Sequence, residues 1–183
     1  MRVAGALSSK SLVPAPPVLE PVSAVRTTLL SASTLALRRR GLIDEYLALL
    51  PKQHHDLVLG LVAGDWIPIE VGVAHYAACD SLKLSANAQY EMGYEVGQKI
   101  QQNVLGTLMR LAQKSGVTPW NALSQLPRLW QRMMQGGATA VYELGPKDAR
   151  VEFLAMPFAR YAYCRNAFRG ILAGAAESLC RKI

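Results

Sequence analysis

Apolar and polar positions along this chain change period once, near residue 138. Before that point apolar residues recur at helical spacing; after it they alternate. A helical pattern starts at Ser31, carries Leu35 and Leu37, and stops at Gly41 after Arg38-Arg39-Arg40. A short helix over 42–50 ends at Pro51, and a third covers 56–62 with Leu57, Val58 and Leu61 on one side. Trp66-Ile67-Pro68 opens the next helix, which runs to about Leu82. Val71, Ala74, His75 and Ala78 fall there on one buried stripe. Ser85 caps the longest helix, 86–113, whose stripe is Tyr90, Tyr94, Gly97, Gln101, Val104, Leu105, Leu108 and Leu111. Gly93 and Gly97, one turn apart in it, predict close approach of a neighbouring backbone, because glycine inside a helix otherwise costs about 1 kcal/mol.

Gly116 ends that helix, Thr118-Pro119-Trp120 caps a new one, and 126–134 forms another before Gly136-Gly137. Ala138, Ala140, Tyr142 and Leu144 then alternate with Thr139, Val141 and Glu143. After Gly145-Pro146-Lys147-Asp148 the alternation resumes in Ala149, Val151, Phe153 and Ala155. Two such runs around a turn predict an antiparallel hairpin. Pro157 ends it, 160–165 reads as a further short strand, and 166–182 as a terminal helix with Phe168, Ile171, Leu172, Ala175 and Leu179 inward. Gly170 and Gly174 give that helix a small-residue face.

Helices followed by a hairpin and a helix indicate α+β: an N-terminal helical layer packed on a small antiparallel sheet, with a C-terminal helix. Pro14, Pro16, Pro17 and Pro21 make 1–24 a disordered proline-rich tail, leaving 25–183 as a single α+β domain. A lone hairpin is marginal, so the sheet needs a third strand, a packed helix or a second subunit.

At 183 residues the chain is long enough to bury a core without disulfides. The net charge of +7 is unevenly placed: +5 over 1–40, −4 over 41–113 and +6 over 114–183. A three-arginine run without interleaved aromatics is too short for a nucleic-acid reader, and no apolar stretch predicts a membrane span. Cys79, Cys164 and Cys180 are odd in number and form no CxxC pair. With no secretory signal they point to free thiols and a cytoplasmic location.

No catalytic constellation stands out. His75 and Cys79 sit at i and i+4 on one helix, a metal-ligand spacing, but make only two ligands. That leaves His75 the weak candidate for metal or haem. Cys164 beside Arg165 and Arg169 has the most electropositive setting for a reactive thiol, without a histidine near it in sequence. Gly136-Gly137 follows a helix rather than a strand, the wrong context for a phosphate loop. Tyr161, Tyr163 and Arg165 share one face if the segment is extended. With Trp130 they make a candidate ligand-binding set for a carboxylate or phosphate head group.

Several runs carry a resemblance: Trp66-Ile67-Pro68-Ile69-Glu70, His75-Tyr76-Ala77-Ala78-Cys79-Asp80, Gly116-Val117-Thr118-Pro119-Trp120, Pro127-Arg128-Leu129-Trp130, Gly136-Gly137, Gly145-Pro146-Lys147, Ala149-Arg150-Val151 and Tyr163-Cys164-Arg165. Over about residues 25–183 the chain resembles an uncharacterised family of bacterial paralogues abundant in myxobacteria, from which no function carries over. More remotely, its element order is similar to the ligand-binding fold shared by haem NO-binding domains, the 4-vinyl reductase domain and Golgi-transport tethering subunits. That resemblance implies an apolar ligand or lipid chain held between helices and sheet. The haem NO-binding branch holds its propionates with Tyr-x-Ser-x-Arg. Here the spacing gives Tyr161, Tyr163 and Arg165 without the serine, and His75 lies much further upstream than that branch's ligand. Both departures argue against haem, so no cofactor is expected.

The expectation is therefore a non-enzymatic cytoplasmic sensor or ligand-binding module for a small apolar or acidic-headed molecule. The second reading is a homodimeric protein-interaction module without a ligand, and the third an enzyme using Cys164 or a metal on His75. A homodimer or protein partner is expected; nucleic acid and a membrane span are not.

Overall fold

The computed structural model describes residues 10–62, 64–100 and 118–176. Within them the chain is α+β, with two three-stranded antiparallel sheets where the sequence pattern suggested one. Strand β1 (Lys10–Val13) leads through the prolines to β2 (Ala24–Arg26) and α1 (Thr27–Arg39). Helices α2 (Ile43–Leu49) and α3 (His55–Leu59) follow, then β3 (Trp66–Pro68), α4 (Ile69–Ser81) and α5 (Ala86–Ile100). After residue 117 come α6 (Pro119–Leu123), α7 (Leu126–Met133), β4 (Met134–Gln135), β5 (Ala138–Gly145), β6 (Asp148–Leu154) and α8 (Ala162–Ala176).

The predicted hairpin forms the larger sheet, in the order β1-β5-β6. In its register Val141 stands opposite Val151, and Tyr142 opposite Arg150. The smaller sheet runs β3-β2-β4, with Val25 between Ile67 and Met134. Trp66-Ile67-Pro68 is thus a strand, and the helix it was expected to open starts one residue later at Ile69. Proline is tolerated there because Pro68 sits at the end of an edge strand.

The expected tail over 1–24 is corrected for its second half. Lys10–Val13 pairs with β5, Val22 is buried, and its amide donates to the Ala155 carbonyl at 3.0 Å. Lys10–Val13 itself contains no proline, so every residue of it keeps an amide for the ladder, and the prolines begin only at Pro14. The first nine residues lie outside the description, as do the predicted helical stretch over 101–113, Gly116, Leu179 and Cys180. The strand expected over 160–165 is also corrected. Pro157–Arg160 is a 3-10 turn, and α8 begins at Ala162, four residues before its predicted start.

Helix α5 buries Gln89, Met92, Gly93, Val96 and Gly97. That stripe is displaced from the predicted one, and Tyr90 and Tyr94 flank it half-buried. The displacement has a cause: the glycines, not the tyrosines, face the neighbouring helix. Cβ atoms built on Gly93 and Gly97 would run into the Ala167 and Ile171 backbones of α8, and ones on Gly170 and Gly174 into the backbone of α5. The two helices therefore run side by side in the same direction, closer than side chains allow. Around them α1 packs on α5 and α4 on α8, while α2 packs on α4. Gly41, at φ +70°, ends α1 as predicted. No helix among the described residues is long and apolar enough to cross a membrane.

Candidate functional site

Five helices converge on a polar cluster inside this core. Helix α4 carries His75, which is fully buried, at the middle of its inward stripe. Tyr46, the one buried residue of α2, reaches His75 Nδ1 at 2.7 Å. On the other side His75 Nε2 lies 3.0 Å from Ser33 Oγ of α1 and 3.7 Å from Cys79 Sγ, one turn along α4. A neutral imidazole satisfies both bonds when the Tyr46 hydroxyl donates to Nδ1 and Nε2–H donates to Ser33. From α8, Tyr163 brings its hydroxyl next to Ser33 and Cys79 and donates to Met92 Sδ of α5 at 3.8 Å.

Aromatic rings seal the cluster. His75 stands edge-on to Tyr46 (5.3 Å between centroids) and to Tyr76 (5.2 Å). Tyr76 in turn stacks on Phe158 at 4.7 Å. Burial makes every group in it neutral. Desolvation pushes the His75 imidazole down to about 4, and holds the Tyr46, Tyr76 and Tyr163 hydroxyls and the Cys79 thiol well above their ordinary ranges. The cluster can therefore donate and accept hydrogen bonds, but it offers no charge to an anion and no thiolate to an electrophile.

A recess of about 10 Å³ borders the cluster between α1, α5 and α8, with Tyr76 of α4 closing one side. Ser33 and Tyr163 form its polar side; Leu29, Met92, Val96 and Ile171 form its apolar side. As it stands it is large enough for about one water.

The four predicted site residues do not meet. The helical start of α8 turns Tyr163 inward and Arg165 outward, where an extended strand would have aligned them. Tyr163 lines the recess. Arg165 instead donates from Nη1 to the Ala159 and Arg160 carbonyls, at 2.8 and 2.7 Å, and so fixes the 3-10 turn. Tyr161 accepts a bond from Arg160 Nη2 at 2.9 Å, with the same guanidinium 4.9 Å over its ring. Trp130, buried on α7, donates from Nε1 to the Gly136 carbonyl at 2.9 Å and packs on Phe153. It belongs to the sheet side of the core.

Both His75 nitrogens are engaged by Tyr46 and Ser33, and no group of three or more His, Cys, Asp or Glu gathers to hold a metal among the described residues. Cys164 is buried too, and desolvation raises its thiol pKa more than Arg165 lowers it. Sequence reasoning missed Tyr46 and Ser33. Their only sequence signals are a tyrosine in a short amphipathic helix and a serine one turn after Leu29 and Leu30.

No protein-family model, no curated protein and no solved structure matches this chain.

Proposed function

We propose that this protein is a non-enzymatic binding module for a small, largely apolar molecule bearing one neutral polar group. The molecule enters between α1, α5 and α8 and hydrogen-bonds to Ser33 and Tyr163. One observation carries the reading: those two residues belong both to the buried hydrogen-bonded cluster and to the wall of the recess. A pocket with apolar walls and a few convergent polar groups is the usual form of a small-molecule site. The resemblance in element order to folds that enclose an apolar ligand supports the same reading. An acidic head group has less support, because no basic side chain lines the recess and Arg165 is engaged outside it. Cys79 and Cys164 are buried thiols, so binding is favoured over thiol catalysis. Entry requires the recess to widen. With α5 and α8 locked together at their glycines, that movement falls to α1 or to Tyr76 of α4.

The experiment is native mass spectrometry and an absorbance spectrum on the protein as purified, followed by titration with Nile red. The expected result is an excess mass that is lost on denaturation, or saturable dye binding, weakened about tenfold in Ser33→Ala by loss of one buried hydrogen bond. A bare polypeptide mass together with no saturable Nile red binding overturns the reading. A Soret band would replace it with haem.

A further inference from the structure

The larger sheet has two edges, and they are treated differently. Strand β1 is four residues long and its pairing with β5 slips between Ser11 and Val13. Short and irregular edge strands of this kind are poor templates for another chain. Strand β6 is seven residues long, pairs with β5 from Asp148 to Leu154, and carries no proline. On its other side no strand is paired with it among the described residues. The smaller sheet offers only three-residue β3 and two-residue β4 as edges.

We propose that β6 pairs with β6 of a second copy of this chain, antiparallel, about a two-fold axis at Val151. Two independent features select that register. Full overlap of a seven-residue strand with itself places the axis at its central residue, which is Val151. At the same register the charges become complementary: Arg150 stands opposite the partner's Glu152, and Glu152 opposite the partner's Arg150. Directly opposed residues of opposite charge stabilise an antiparallel pair, and like charges destabilise it. A shift of the axis by one residue loses both ion pairs.

The side chains are already placed for this. Arg150 lies over the Tyr142 ring at 4.7 Å and its Nε meets Glu152 at 3.1 Å, so both charges stand on one face of the sheet. Pairing would set each arginine between its own Glu152 and the partner's Glu152. On the opposite face Phe153, which packs on Trp130 and Phe168, would stand opposite the partner's Ala149, a large residue against a small one. The result is a continuous six-stranded sheet. A strand edge alone buries less than the roughly 1,200 Å² of a standard interface, which puts the association among the weak, concentration-dependent ones.

Sedimentation velocity over a micromolar concentration series tests it with four proteins: wild type, Arg150→Glu, Glu152→Arg and the double swap. Wild type should move from monomer to dimer. Each single reversal places like charges opposite each other twice, by symmetry, and should weaken the dimer about tenfold or more. The double swap restores opposite charges at both places and should recover wild-type association. Far-UV circular dichroism checks that each variant folds. Amide exchange on the wild type needs no variant: protection of 150–154 should rise with protein concentration. A wild type that stays monomeric throughout overturns the proposal, as does a dimer indifferent to both single reversals or a β6 whose exchange is independent of concentration.

Discussion

Gly93 on α5 and Ala167 on α8 meet backbone to backbone: a Cβ at residue 93 would stand 2.6 Å from the Ala167 Cα and nearer still to its carbonyl. Replacing Gly93 by alanine gains about 1 kcal/mol of helix propensity. Overpacking costs about 1–3 kcal/mol, and here the neighbour is backbone, which cannot rotate away. Gly93→Ala should therefore lower stability by about 2 kcal/mol in urea unfolding. Gly72 on α4 is the control. A Cβ there would lie 3.4 Å from Val25 Cγ2, an ordinary contact, so Gly72→Ala should leave stability equal or raise it by about 0.5–1 kcal/mol. Equal effects at both positions would mean that the glycines do not set the α5–α8 spacing.

Tyr46→Phe tests the polar cluster without making a cavity. The ring and its edge-on contact with His75 remain, and only the hydroxyl is lost. His75 Nδ1 is then buried without its partner, which costs about 1–3 kcal/mol. Denaturant unfolding reads the loss directly. A change below about 0.5 kcal/mol would show that water or a rearranged imidazole takes the place of Tyr46.

His75 also gives the fold a pH dependence with a definite sign. Its ordinary value of 6.5 applies to the unfolded chain, and burial lowers it to about 4 in the folded one. Between those values the unfolded state binds a proton that the folded state does not, so stability falls as pH drops from 6.5 and levels off below 4. The whole window is worth about 3 kcal/mol, of which about 2 kcal/mol is lost by pH 5. The neighbours facing His75 are Tyr46 from α2, Ser33 from α1, and Tyr76 and Cys79 from α4; none of them changes charge in this range. Urea midpoints measured for wild type and His75→Gln between neutral pH and about pH 5 should differ in slope, with the variant flatter. Parallel slopes would place the acid sensitivity elsewhere.

The hairpin was legible because the apolar spacing shortens to two on either side of a turn sequence, even though β5 buries Thr139, Ala140 and Val141 in succession rather than one face. His75 was legible as a residue on an inward stripe, and Gly93, Gly97, Gly170 and Gly174 as sites of close approach. What joins those elements was not. Tyr46 and Ser33 lie 29 and 42 positions from His75, and nothing local in the sequence links them. The reading of Tyr161, Tyr163 and Arg165 as one face assumed period two. The segment instead enters a helix, and the turn over Pro157–Arg160 that precedes it is held by Arg165 reaching back. Proline-rich spacing hid β1 for a different reason: a four-residue edge strand takes its order from β5, not from its own residues.

Helix α8 starts without a cap of its own, since Tyr161 precedes it where Ser, Thr, Asp or Asn would serve. Asp80 at the end of α4 supplies one from a distance: its Oδ1 accepts the Tyr163 amide at 2.7 Å. That bond fixes where α8 begins and therefore how deep Tyr163 reaches toward Ser33 and the recess. Asp80→Ala leaves the amide unpaired in a half-buried place and should cost about 1–2 kcal/mol, as cap removal does. In a chain of this length that lowers the melting temperature by roughly 2–8 °C. Asp80→Asn keeps an oxygen acceptor and gives up only the charge near the helix N-terminus, about 0.5 kcal/mol. Thermal melts of the two variants separate a hydrogen-bonded cap from a charge effect. If Asp80→Asn falls as far as Asp80→Ala, the cap acts through its charge; if neither moves, α8 is held by its glycine packing alone. Under the binding reading Asp80→Ala should also weaken Nile red binding while Asp80→Asn leaves it near wild type, because only the former lets Tyr163 shift.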